Sequence, residues 1–147
     1  MEPEINTRDK VVALIARILI ALLFWYSGIG KILVPDLVIA TITKAGLPLP
    51  YFCYVAAILL EIGAGLCFLI GFKPRIVALV MALYCLLTGL LFHLELANPQ
   101  QTIQLLKNFA IAGGLLHYLW FGGGVFSANS QRGWPLRASE GLEKGAR

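Results

Sequence analysis

Charge is what this sequence has least of. Asp, Glu, Lys and Arg make up only 14% of its 147 residues, against about a quarter in soluble domains. That shortage excludes a soluble enzyme, a disordered regulator and a nucleic-acid-binding module. Cysteine is scarce too: Cys53, Cys67 and Cys85 lie far apart, leaving no disulfide framework and no zinc or iron–sulfur spacing. Histidine occurs only at His93 and His117, so no metal site is expected. What abounds is apolar: 59% of residues are hydrophobic, and the mean hydropathy is +0.79. These are the numbers of a small integral membrane protein.

Four apolar runs, at 11–33, 51–70, 76–96 and 108–126, each approach the ~20 residues that carry a helix across a hydrocarbon core. None shows the alternation of a barrel strand. The breaks between them hold Pro35, Gly46 with Pro48 and Pro50, Gly71 with Pro74, and Pro99, which end helices because proline cannot continue one. The fold class expected is therefore an all-α membrane protein, a bundle of four transmembrane helices. Residues 1–10 form a short charged N-terminus, and 127–147 a polar, basic tail too short for a second domain. The first run is too long for the apolar region of a signal peptide and contains Arg17, so it reads as a retained helix.

The net charge of +4 is distributed as a sidedness code. Arg8, Lys10, Lys73, Arg75 and the basic residues of the tail face one side; only Lys31, Lys44 and Lys107 face the other. Lys and Arg accumulate in the cytoplasm, which places both termini there.

Ionisable side chains inside hydrocarbon cost about 2.5–3.5 kcal/mol on insertion scales and turn toward the bundle interior. Arg17, Glu61 and His117 are the deep ones. Counting ~1.5 Å per residue puts Arg17 roughly 9 Å deep and Glu61 and His117 roughly 13 Å, so contact between Arg17 and Glu61 is expected. Helical spacing gives one stripe of Arg17, Ala21, Phe24, Gly28 and Lys31, and another of Ala57, Glu61, Ala64, Gly65 and Phe68. A third, of Ala110, Gly113, Gly114 and His117, is expected to face inward on the last helix because small residues allow close packing. The Glu61–Arg17 pair reads equally as a lock on helix register or as a chemical group. Nearer the outer end, Lys31, Lys107, Asn108 and His93 form a donor-rich group suited to a polar head, although Lys31 and Lys107 taken alone read as residues snorkelling to the interface. Bis-histidine haem does not fit, since His93 and His117 lie at different depths.

Several segments together resemble a known family. ARILIALLFWYSGIGKIL (16–33), KAGLPLP (44–50), LLEIGAGLCFLIGFKPR (59–75) and LLKNFAIAGGLLHYL (105–119) are similar to the DoxX family of small prokaryotic membrane proteins with four helices. The resemblance runs from about residue 11 to 126 and includes Arg17, Gly28, Lys31, Glu61, Gly65, Gly71, Arg75 and the Lys107-Asn108 pair. His93 resembles a histidine that members often carry near the end of helix 3, without the aromatic residues that commonly follow it. The family takes its name from a subunit of an archaeal thiosulfate:quinone oxidoreductase, and other members are linked to oxidative-stress complexes or peptide-modifying gene clusters.

The resemblance implies a protein of the bacterial inner membrane. The leading expectation is a redox-linked subunit that binds a quinone and exchanges electrons with a partner. Lys31, Lys107, Asn108 and His93 would hold the quinone; Glu61 and His117 would carry protons, with Arg17 beside Glu61 as the third member of the catalytic group. No tightly bound cofactor is expected; a quinone is the candidate ligand. The partners expected are the lipid bilayer and a partner protein or further copies of the chain, with no nucleic acid. Two alternatives stand beside this: a non-enzymatic anchor or assembly factor for a partner complex, and a small oligomeric transporter of protons or solutes.

Overall fold

The computed structural model describes residues 7–121, and every regular element among them is helical. Helix α1 spans Thr7–Leu33, and after one intervening residue the short α2 spans Pro35–Lys44. The next long rod is composite: α3 (Pro50–Leu59), a π turn (Leu60–Ala64) and α4 (Gly65–Ile70) run on without a break. Helix α5 covers Pro74–Phe92 and α6 covers Pro99–Phe121.

The boundaries follow from local chemistry. Proline opens α2, α3, α5 and α6, where its missing N–H costs nothing and its fixed φ already suits a helix. Gly71, at φ +74°, ends α4: its N–H donates to the Phe68 carbonyl, and Phe72 N–H donates to the Cys67 carbonyl at 2.9 Å. Gly46 ends α2 in the same left-handed conformation. Both turns use glycine because a Cβ there would be strained.

Three helical stretches are long and apolar enough to cross a membrane: Val11–Leu33, Pro50–Ile70 and Pro74–Phe92. Three boundaries differ by four residues or more from those expected from the apolar runs, the first being the start of α1 at Thr7 rather than 11. Helix α5 stops at Phe92, and His93 leaves helical geometry with φ −132°. Helix α6 begins at Pro99, well before the apolar run at 108. Asn98 starts it, its side-chain Oδ1 accepting the Gln100 N–H at 3.0 Å. Apolarity marks the part of a helix suited to lipid, whereas caps mark the helix itself. Helix α2 was not expected at all, since ten residues are too few to cross.

Successive long helices run antiparallel. Gly28 of α1 abuts Glu61 and Ile62, and Gly65 abuts Phe24 and Trp25, so α1 descends as the composite helix rises. The most extensive interface joins α5 and α6. The core is assembled from Phe24, Phe68, Ala78, Met81, Ala82, Cys85, Ala112 and Leu115. Large apolar residues such as Leu22, Ile29, Leu83 and Leu106 point outward. That is the pattern of a chain solvated by hydrocarbon, where an outward leucine costs nothing and small side chains bring helices together.

Candidate functional site

Glu61 sits in the π turn and is only 3% exposed. A π turn carries an extra residue per turn and occurs disproportionately at functional sites. Here it is held from α1: Trp25 Nε1 donates to the Ile62 carbonyl at 3.2 Å. Gly65 makes room for that indole, since a Cβ there would stand 3.0 Å from Nε1. Gly28 does the same for Glu61, where a Cβ would stand 2.9 Å from Ile62 Cγ1 and 3.2 Å from Glu61 Cβ.

The carboxylate is met by donors from two helices. Lys31 Nζ of α1 donates to Oε1 at 2.8 Å and to Oε2 at 2.9 Å, forming an ion pair. Ser27 Oγ, one turn before Lys31, donates to Oε1 at 3.1 Å and accepts from Lys31 Nζ at 2.8 Å. Tyr84 of α5 donates its hydroxyl to Oε1 at 2.8 Å. Tyr54 reaches the Lys31 carbonyl at 3.3 Å and ties the lysine's own backbone to α3. Bonds to ionised groups are the strong kind, and these balance the burial of two charges.

This cluster lines part of a cavity of about 620 Å³. Phe24, Ala57, Leu60, Leu87, Leu91 and Ile111 supply apolar wall, and α2 closes one side with Leu37, Val38, Thr41 and Ile42. Asn108 and His93 also line it. Asn108 packs on Gly89, where a Cβ would come within 3.1 Å, and its Nδ2 donates to the Gln104 carbonyl at 3.0 Å. His93 Nδ1 and Gln101 Oε1 are 2.6 Å apart, the ring donating to the amide oxygen. Apolar walls with a few placed polar groups suit an amphiphilic small molecule.

The DoxX family model matches residues 12–94, more than half of the chain. The inner membrane protein YqjF of Escherichia coli is 38% identical over 119 residues, covering 81% of this chain and 90% of that protein. A second relative in Escherichia coli, the inner membrane protein YphA, is 29% identical over 123 residues, covering 80% of this chain and 87% of its own. The chain belongs to the DoxX family. No solved structure matches it. With three helices apolar and long enough to cross, this DoxX protein is a multi-pass protein of the bacterial inner membrane.

Of the residues singled out by sequence, this DoxX protein brings Lys31, Glu61, His93 and Asn108 to one cavity. The two stripes on α1 and the composite helix face inward: Arg17, Ala21, Phe24, Gly28, Glu61, Gly65 and Phe68 are all buried. Three expectations are corrected. Arg17 is buried but is not a partner of Glu61, whose donors are Ser27, Lys31 and Tyr84. Glu61 lies level with Gly28, and from Arg17 to Gly28 is about 16 Å of helix, beyond the reach of a guanidinium. Counting depth from the ends of apolar runs missed this offset, which helix packing sets. His117 is exposed, as are Ala110, Gly113 and Gly114. The face of α6 that packs inward is instead Leu105, Asn108, Ala112 and Leu115. Nor is His117 level with Glu61: the neighbouring Tyr118 ring lies tilted with its centroid 4.7 Å from that of Phe68, about 10 Å of helix past Glu61. Lys107, finally, is exposed and donates to Gln104 Oε1 at 2.8 Å, outside the cavity lining.

Sequence reading missed Ser27, Tyr84 and Trp25. Ser27 carries a usable signal, because it precedes Lys31 by four residues and so shares its face. Tyr84 and Trp25 carry none, since only the rotation of their helices aims them at the π turn.

Proposed function

We propose that this DoxX protein binds a lipid-soluble carrier of the quinone type in the cavity beneath α2, as the membrane subunit of a redox system. One observation carries the reading: an apolar-walled cavity of about 620 Å³ is lined by a carboxylate–ammonium pair whose carboxylate is buried and accepts from two hydroxyls. The walls suit a ring and isoprenoid tail, and the cluster suits an oxygen that exchanges protons. Electrons come from a partner protein or a soluble donor. The excess of Lys and Arg in the N-terminus, the turn at Lys73 and the tail supports a topology of four crossing helices with both termini cytoplasmic. The cavity and α2 then belong to the periplasmic half.

The test is equilibrium binding of decylubiquinone and of its reduced form, decylubiquinol, to purified protein in lipid nanodiscs. Binding is expected in the wild type and in Lys107→Ala, whose side chain lies outside the cavity lining, and is lost in Ala57→Trp, which fills the cavity. No binding of either form by the wild type, or binding that survives Ala57→Trp, refutes the reading. An anchoring role for a partner protein or a second copy rests on a different observation. Ala110, Gly113 and Gly114 are exposed on α6, and a Cβ added at either glycine meets no atom within 4 Å, a surface shaped for close approach by another helix.

A further inference from the structure

The polar groups of the cavity are unequally committed. Lys31 has three N–H groups, and three acceptors lie within 2.9 Å of them: Ser27 Oγ and both oxygens of Glu61. The Ser27 and Tyr84 hydroxyls both donate to Glu61 Oε1. Thr41 and Thr88 donate to carbonyls of their own helices, those of Leu37 and Tyr84, each at 2.8 Å. The Cys53 thiol donates to the Pro48 carbonyl. One Asn108 N–H is committed to Gln104, and His93 gives its Nδ1 proton to Gln101.

Acceptors are another matter. Glu61 Oε1 takes three bonds, but Oε2 takes one, from Lys31. The Tyr84 hydroxyl donates its hydrogen bond and keeps its lone pairs free to accept. Among the described residues lining the cavity, the donors left over are the second Asn108 N–H and the weak Cys85 thiol. The charge balance points the same way. Lys31 is neutralised by Glu61, so an anionic head arriving here meets a carboxylate without a counter-charge to spare.

We infer that the cavity selects an amphiphile whose neutral head donates a hydrogen bond, such as a phenolic hydroxyl, over one that only accepts or carries negative charge. The inference rests on the binding role proposed above and narrows its ligand class. The hydroxyl donates to Glu61 Oε2, where the acceptor is ionised, and the bond belongs to the stronger kind. Within a quinone couple, the reduced, hydroxyl-bearing member is the one that fits.

The test uses stable probes: 4-nonylphenol, its methyl ether 4-nonylanisole, and 4-nonylbenzoate, each titrated into nanodisc-embedded protein. Binding specific to the cavity is the part lost in Ala57→Trp. The phenol is expected to bind about tenfold or more tighter than the ether, as the loss of a bond to a charged group requires. The benzoate is expected to bind more weakly than the phenol. In Glu61→Gln the amide adds a donor, so the phenol-to-ether ratio should collapse toward unity. Equal affinities for phenol and ether in the wild type, tight benzoate binding, or a ratio unchanged in Glu61→Gln overturns the donor rule while leaving the cavity as a binding site. If none of the probes and neither form of decylubiquinone shows binding that Ala57→Trp removes, the binding role itself falls, and this inference with it.

Discussion

Two double-mutant cycles would decide which cation Glu61 answers to. Lys31→Met leaves the Glu61 carboxylate buried without its counter-charge. Breaking a buried pair typically costs about 3–5 kcal/mol. The cost here should be nearer 2 kcal/mol, because Ser27 and Tyr84 still donate to the carboxylate and the Lys31 side chain is 24% exposed to begin with. Glu61→Met strands two hydroxyls and an ammonium, at about 1 kcal/mol each, for a total of about 3 kcal/mol. In the double variant only the hydroxyls remain stranded, costing about 2 kcal/mol. The sum of the singles therefore exceeds the double by about 3 kcal/mol, at the upper end of couplings between residues in contact. The companion cycle, Arg17→Met with Glu61→Met, should be additive to about 0.5 kcal/mol, because those residues are separated by more than the range over which side chains couple. The assay is reversible unfolding in mixed detergent micelles followed by circular dichroism. Additivity in the Lys31 cycle, or coupling above about 1 kcal/mol in the Arg17 cycle, would refute the reasoning.

Other outcomes follow from the same contacts. Gly28→Ala should destabilise by about 1–3 kcal/mol, because its Cβ would press on Ile62 and Glu61, whereas Gly30→Ala, with nothing within 4 Å, should change the melting temperature little. Trp25→Phe keeps most of the ring but drops the bond to the π turn, so a loss of about 1 kcal/mol is expected; an unchanged melting temperature would show that the bond does not hold the turn. Alkaline phosphatase fused after Arg147 should be inactive and, inserted near Lys44, active. The opposite pattern would invert the topology.

The sequence alone determined the membrane setting, because hydrocarbon admits few charges and demands long apolar helices. It also determined which faces of α1 and the composite helix turn inward, since helical periodicity places Arg17 and Lys31 on one stripe and Glu61 on the other, each among small or apolar residues. Lys31, Glu61, His93 and Asn108 were legible as candidates because each is costly or conspicuous where it stands. Tertiary structure decided the rest. Which cation pairs with Glu61 depends on the axial offset between α1 and its neighbour, and that offset is set where Gly28 and Gly65 let the backbones meet. The face α6 presents depends on its packing against α5, where Gly89 receives Asn108; in lipid, an outward glycine carries no penalty that sequence reading could detect. The π turn, its Trp25 tie and the Tyr84 hydroxyl arise from contacts between helices far apart in the chain, which no local pattern encodes.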